Sequence, residues 1–117
     1  MNLEISSFAD TKLVRVKKRK LTYPALAEFY SLVSELLETG ARHLVINLSE
    51  VSYLDSAALG CLMDVSRNMH ARNGTVALVG MQERVAALVG MVGLTHHIEV
   101  FAEEGKALES SFSVPAF

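Results

Sequence analysis

Two hydrophobic periods alternate along this chain, and few folds accommodate both. Leu44-Val45-Ile46-Asn47-Leu48 and Thr75 to Val79 are short, mostly apolar and rich in branched side chains, the pattern of strands buried on both faces. Around them, apolar residues recur at spacings of three and four, the stripe of a half-buried helix. Leu26, Phe29, Tyr30, Val33, Leu36 and Leu37 form one such stripe, opened by Pro24 and ended by Gly40. Leu59, Leu62, Met63, Ser66 and Met69 form a second, on a helix from near Ser56 to about Arg72 that Asn73-Gly74 stops. Val85, Leu88, Val89 and Val92 form a third, over Arg84 to Val92, with Gly93 as its left-handed terminator.

Leu3 to Phe8 and Lys12 to Lys18 read as two opening strands about Asp10-Thr11, the second with one buried face at Val14 and Val16. Ile98 to Phe101 is a last strand and Glu103 to Glu109 a short closing helix. Strand–helix alternation after the opening pair predicts an α/β fold: a mostly parallel mixed sheet of about five strands with about four helices packed on it. With 117 residues and no repeat or Pro/Gly-rich linker, residues 1–117 are expected to form a single domain.

Composition narrows the function classes. Half the residues are hydrophobic and the formal charge is −2, which excludes intrinsic disorder. Cys61 is the only cysteine, so no disulfide framework exists and a reducing cytoplasm is the expected setting. The longest apolar run, Val85 to Leu94, is ten residues, against the ~20 that a spanning helix needs. The N-terminus, Met1-Asn2-Leu3-Glu4, lacks the basic-then-apolar order of a signal peptide. Neither membrane insertion nor a nucleic-acid partner is therefore expected.

Signs of catalysis are missing too. No phosphate-cradling glycine loop occurs, nor do the clustered acids and late lysine of a receiver domain. His43, His70, His96 and His97 include no pair at the i, i+4 spacing of a metal site; adjacent His96 and His97 are expected on opposite sides of a strand. Cys61 lies inside the apolar run Ala57 to Met63 and reads as a small buried hydrophobe. No catalytic residue, cofactor or metal is expected.

One segment carries chemical content: Ser49-Glu50-Val51-Ser52-Tyr53-Leu54-Asp55-Ser56-Ala57-Ala58-Leu59-Gly60. At minimum it caps a helix, with Asp55 or Ser56 at the N-cap. Ala57, Ala58 and Gly60 would then let the helix lie close to the sheet. Together with Ile46-Asn47-Leu48, the segment resembles the signature of the STAS domain, the bacterial anti-sigma factor antagonist family, whose pattern runs roughly D-L-S-x-V-x-x-[ILM]-D-S-[SA]-G-[LI]-G. The resemblance extends over about residues 42–109, through the Gly74 turn, Val76 to Val79, and Val85 to Gly93-Leu94. Asn47 departs from the pattern's first aspartate, Ala58 from a glycine, and Lys18 to Thr22 from the family's G-x-L-D turn.

The resemblance implies a non-enzymatic binding module for partner switching. By position, Ser56 is the serine phosphorylated by a partner, a serine kinase of the small ATPase type that is often the anti-sigma factor itself. Asp55 is the neighbouring motif acid. The unphosphorylated form would bind the anti-sigma factor and the phosphorylated form would not, with a serine phosphatase as second partner and the chain itself a monomer or weak homodimer. The outward side of the second helix, at Asp64, Arg67 and Asn68, would add partner surface. Alternatively, the domain is an adaptor in a transport or sensory assembly, with Ser56 unmodified. A third possibility is an anion- or nucleotide-binding sensor, for which no nucleotide motif is present.

Arg15, Lys17, Lys18, Arg19 and Lys20 supply five of the eleven basic residues. Without them the chain keeps 6 basic groups against 13 acidic ones, so near neutrality hides a basic stripe on an acidic body. Lys18, Arg19 and Lys20 either guard a strand edge or form a docking patch for an acidic partner or a nearby phosphate.

Overall fold

The computed structural model describes residues 2–112. Strands β1 (Leu3–Phe8) and β2 (Thr11–Val16) form an antiparallel hairpin. The chain continues through β3 (Lys20–Leu21), α1 (Tyr23–Glu38), β4 (His43–Asn47), β5 (Tyr53–Leu54), α2 (Ser56–Ala71) and β6 (Thr75–Val79). It ends with α3 (Glu83–Met91), a 3-10 turn at Leu94–His96, β7 (Glu99–Phe101) and α4 (Glu104–Phe112). The main sheet has five strands in the order β1-β2-β4-β6-β7, parallel from β2 onward. The predicted α/β class and element order hold.

Three helices cover one face. Leu26, Phe29, Val33 and Leu37 of α1, Ala58, Leu62, Val65 and Met69 of α2, and Val85 and Val89 of α3 pack on Val14, Ile46 and Leu78. The expected stripes are slightly rotated in fact. Tyr30 is exposed and Leu36, Leu59 and Met63 are only half-buried, while Ala58 and Val65 are fully buried. Ser66 is buried as expected and donates its hydroxyl to the His97 carbonyl at 3.4 Å.

Among the described residues only α4 covers the second face, where Ala107 and Leu108 meet Leu13, Val45, Ala77 and Val79. Leu13 and Thr11 are therefore as buried as Val14, and β2 does not have the single buried face that its alternation predicted. Gly93 terminates α3 with φ 74°, the left-handed conformation expected of it. His96 and His97 lie in and just after the 3-10 turn and not on a strand, and both line a cavity there.

Besides the 3-10 turn, two strands were not anticipated. β3 and β5 pair in parallel as a separate two-stranded ribbon, with Lys20 opposite Tyr53 and Leu21 opposite Leu54. Leu21 and Leu54 are buried, which fixes the ribbon to the core and turns Lys20 and Tyr53 outward.

Candidate functional site

The turn between β4 and α2 is held by its backbone at almost every step. Ser49 N–H donates to Asn47 Oδ1 at 2.8 Å and Val51 N–H to the Leu48 carbonyl at 3.0 Å. Leu48 N–H reaches across to the Val79 carbonyl, and Gln82 Nε2 donates to the Ser49 carbonyl at 2.9 Å. Gly80, with φ 70°, permits this approach, because a Cβ there would stand 3.0 Å from the Ser49 Cβ. Further along, the Arg19 carbonyl accepts from Ser52 N–H at 2.8 Å, Tyr53 N–H at 3.1 Å and the Ser52 hydroxyl at 3.2 Å. The segment is thus delivered to α2 in a single register.

Asp55 is the N-cap of α2, in extended conformation, and its Oδ1 accepts from Ala58 N–H at 2.8 Å. This resolves the choice between Asp55 and Ser56. Its other oxygen, Oδ2, accepts from Tyr23 N–H at 3.0 Å. Tyr23 opens α1, whose own N-cap, Thr22, makes no side-chain capping bond. One carboxylate therefore satisfies donors at two helix N-termini, where negative charge is favoured by both dipoles.

Ser56 is the first residue of α2 and is exposed. Its hydroxyl makes no hydrogen bond among the described residues. Both Asp55 oxygens are engaged by backbone donors, so the neighbouring acid is not positioned as a base toward Ser56. Any base that activates the Ser56 hydroxyl would have to be a group other than Asp55.

The other predicted residues divide. Ala58 is fully buried and does let α2 lie close to the sheet. Ala57 and Gly60 do not; both are exposed, and a Cβ on Gly60 would meet nothing within 4 Å. They instead floor a groove of about 540 Å³ between α1 and α2, walled by Tyr23, Tyr30, Cys61 and Asp64. Cys61 is half-buried, not buried as expected; burial, helped by the Asp64 charge, pushes its thiol up to about 11. It stays protonated and unreactive at neutral pH.

Asp64, Arg67 and Asn68 are all exposed, and Arg67 pairs with Asp64 at 3.4 Å. Asp64 borders the groove, but Arg67 and Asn68 lie eleven and twelve residues beyond Ser56, about 16–18 Å along the helix. The structure does not bring them to the serine. Lys18, Arg19 and Lys20, by contrast, lead into the ribbon that abuts the serine's turn. Tyr23, Tyr30 and Tyr53 were missed as site residues. They are exposed beside the turn and groove, and Tyr53 already stood two positions before Asp55 in the motif.

A second cluster lies at the same end of β2 and β4 but on the α4 face. Arg15 and Asn47 are register neighbours, and Glu104 receives both. Arg15 Nε and Nη2 donate to the two Glu104 oxygens at 2.7 and 2.9 Å, and Asn47 Nδ2 donates to Oε2. The Arg15 bonds, joined by Asn47's, hold the Glu104 carboxyl below its usual range and raise Arg15 in turn. Asn47 thus donates to Glu104 with its nitrogen and accepts from Ser49 N–H with its oxygen. An aspartate there, as in the family pattern, could not donate and would face Glu104 as a like charge.

A larger cavity, about 710 Å³, gathers His70, His96, His97, Met81 and Phe101 away from the serine. Among the described residues no group of three or more His, Cys, Asp or Glu side chains could hold a metal. No helix among them is long and apolar enough to cross a membrane.

A five-stranded mixed sheet with an exposed serine behind a capping aspartate at the start of its second helix defines the class. The STAS domain profile matches residues 4–107, and the chain belongs to that family. Over 110 residues it is 26% identical to an anti-sigma-B factor antagonist of Staphylococcus aureus (strain NCTC 8325 / PS 47), covering 93% of this chain and 100% of that protein. It is similar in fold to the anti-sigma factor antagonist SpoIIAA in its unphosphorylated form, with TM-score 0.83, 19% identity, and 97% and 99% of the two chains covered. The phosphorylated form of Bacillus SpoIIAA gives TM-score 0.75 at 19% identity over 93% and 98%. Murine Slc26a9, an anion transporter, contains the same fold with TM-score 0.75 at 18% identity, matching 91% of this chain and 18% of that one.

Proposed function

We propose that this protein is a phosphorylation-controlled binding module, an anti-sigma factor antagonist, and not an enzyme. Unphosphorylated, it binds an anti-sigma factor that is also a serine kinase of the small ATPase type. Phosphate on Ser56 blocks that binding, and a serine phosphatase restores it. The observation that carries this reading is the exposed Ser56 hydroxyl, free of structural duty, at the first position of α2 behind a fully engaged Asp55. Support comes from the curated relatives named anti-sigma-B factor antagonist and from SpoIIAA, whose fold is known in both phosphorylation forms.

The physics of the switch is local. A phosphate adds about −1.5 to −2 charge and three acceptor oxygens. At a helix N-terminus it meets a favourable dipole, so the fold survives the modification. Against a carboxylate of the partner at ~4 Å, one added charge is worth roughly 4 kcal/mol at an effective dielectric of 20. That corresponds to a several-hundredfold loss of affinity.

The test is intact-mass measurement of protein from its native cell, before and after phosphatase treatment, with the site assigned to Ser56 by fragmentation. Ser56→Ala is expected to keep binding to the anti-sigma factor, and Ser56→Asp to abolish it. Equal binding by both variants would overturn the proposal. It would favour the adaptor reading, for which the occurrence of this fold within the Slc26a9 transporter speaks.

A further inference from the structure

The fold sorts the five basic residues at 15–20 into two groups. Arg15 is held by Glu104, with Glu4 at 3.9 Å, and Lys17 by Glu50 at 2.7 Å, with Glu4 at 4.0 Å. Lys18, Arg19 and Lys20 have no carboxylate partner among the described residues. Arg19 and Lys20 are exposed, and Lys18 is half-buried. The Arg19 carbonyl is bonded to Ser52 and Tyr53, and Lys20 stands in the ribbon opposite Tyr53, a residue 44% exposed. Three uncompensated cations and an outward aromatic ring are thus fixed to the turn that leads into Ser56.

We propose that Lys18, Arg19 and Lys20, together with Tyr53, dock an acidic segment of the protein partner, and that phosphate on Ser56 weakens this docking by neutralising the patch. The proposal rests on the reading of this turn as the partner-facing one. Charge complementarity selects the occupant. Elsewhere the chain has 13 acidic groups against the other 8 basic ones, so these three cations stand against a net negative remainder. Asp64 across the groove and Glu50 behind the turn would repel an extended polyanion, whereas a short acidic peptide touches only the patch. Tyrosine, apolar in body and polar at the tip, is a side chain that protein interfaces favour.

Ser56 lies three residues past Tyr53, at most about 11 Å of extended chain. The screening length at physiological salt is about 8 Å. With about 5 Å more across the ribbon to Lys20, a doubly charged group there lies within about two screening lengths of those cations and acts on them in attenuated form.

The test is an NMR titration of the full chain with a hexaglutamate peptide at about 0.05 M salt. Shifts are expected at residues 17–21 and 52–57 and are expected to vanish near 0.5 M salt. The K18A/R19A/K20A variant should bind about tenfold more weakly, as expected for three exposed ion pairs. Arg19→Glu alone should bind more weakly than Arg19→Ala. Removing equal charge at Lys12, Arg84 and Lys106 should leave affinity unchanged, and Ser56→Asp should lower it about twofold to threefold. Equal loss in both triple variants would reduce the effect to net charge and overturn the proposal. So would the absence of localised shifts, or tighter binding to duplex DNA or phosphatidylserine vesicles than to the peptide. Phosphate on Ser56 in the native protein without peptide docking sinks the docking alone; peptide docking without native phosphate sinks the switch alone.

Discussion

Two clusters of polar side chains sit near the carboxyl ends of the central strands, on opposite faces of the sheet, and they use their charges in opposite ways. On the α4 face, Arg15 and Asn47 both donate to Glu104, and the three together fasten a helix over the smaller core. On the α1/α2 face, Asp55 is just as fully engaged, yet only with backbone donors, which leaves the adjacent Ser56 hydroxyl unused. The same sequence run shows the division again, since Arg15 and Lys17 are paired and Lys18 to Lys20 are not. Residue type alone does not separate structural from functional chemistry here. What separates them is which partner each atom already has.

The largest stability effect is expected on the serine's side but not from the serine. Asp55→Ala removes caps from two helices, and at ~0.5–2 kcal/mol per cap it should cost about 2–3 kcal/mol in urea unfolding. A loss below ~1 kcal/mol would show that the bond to Tyr23 contributes nothing. Asn47→Asp, which restores the family pattern, should cost about 1–2 kcal/mol at pH 7 by placing a second carboxylate against Glu104. Because that raises a carboxylate pKa in the folded state, the deficit should shrink as pH falls below about 5.

Glu104→Gln should cost up to about 1 kcal/mol at neutral pH, discounted for a pair that is still partly open to solvent. Here the sign is reversed. The folded Glu104 pKa is depressed, so its contribution is present above the ordinary glutamate range and is lost as pH falls through the depressed value. Wild type and variant should therefore converge on acidification, while a pH-independent gap would mean that packing, not charge, fastens α4. The smallest effect belongs to Ser56→Ala, within about 0.5 kcal/mol. A larger loss would show that the hydroxyl has a structural role after all.

The fold was legible wherever period carries the signal. Four of the five main strands and the four helices have enough residues to display it, and their order was read directly. The β3–β5 ribbon was not, because two-residue strands have no period. Burial of Leu13 and Thr11 was missed for a different reason, since it depends on a helix about ninety residues further on. The acid and the serine of the site were legible as a motif, and helix capping named the two residues. The second capping bond joins residues 32 apart, and the Arg15–Glu104 pair residues 89 apart. No local spacing could reveal either.

The bond from Asp55 to the start of α1 also bears on recognition kinetics and entropy. It ties the serine's turn to the α1 wall of the groove. A protein that read serine, groove and basic ribbon together would meet a surface whose parts this bond already links, so less conformational freedom would be lost on association. Loosening that bond, even in a variant that stays folded, should show itself as slower association and weaker affinity before any contact with the partner has been altered.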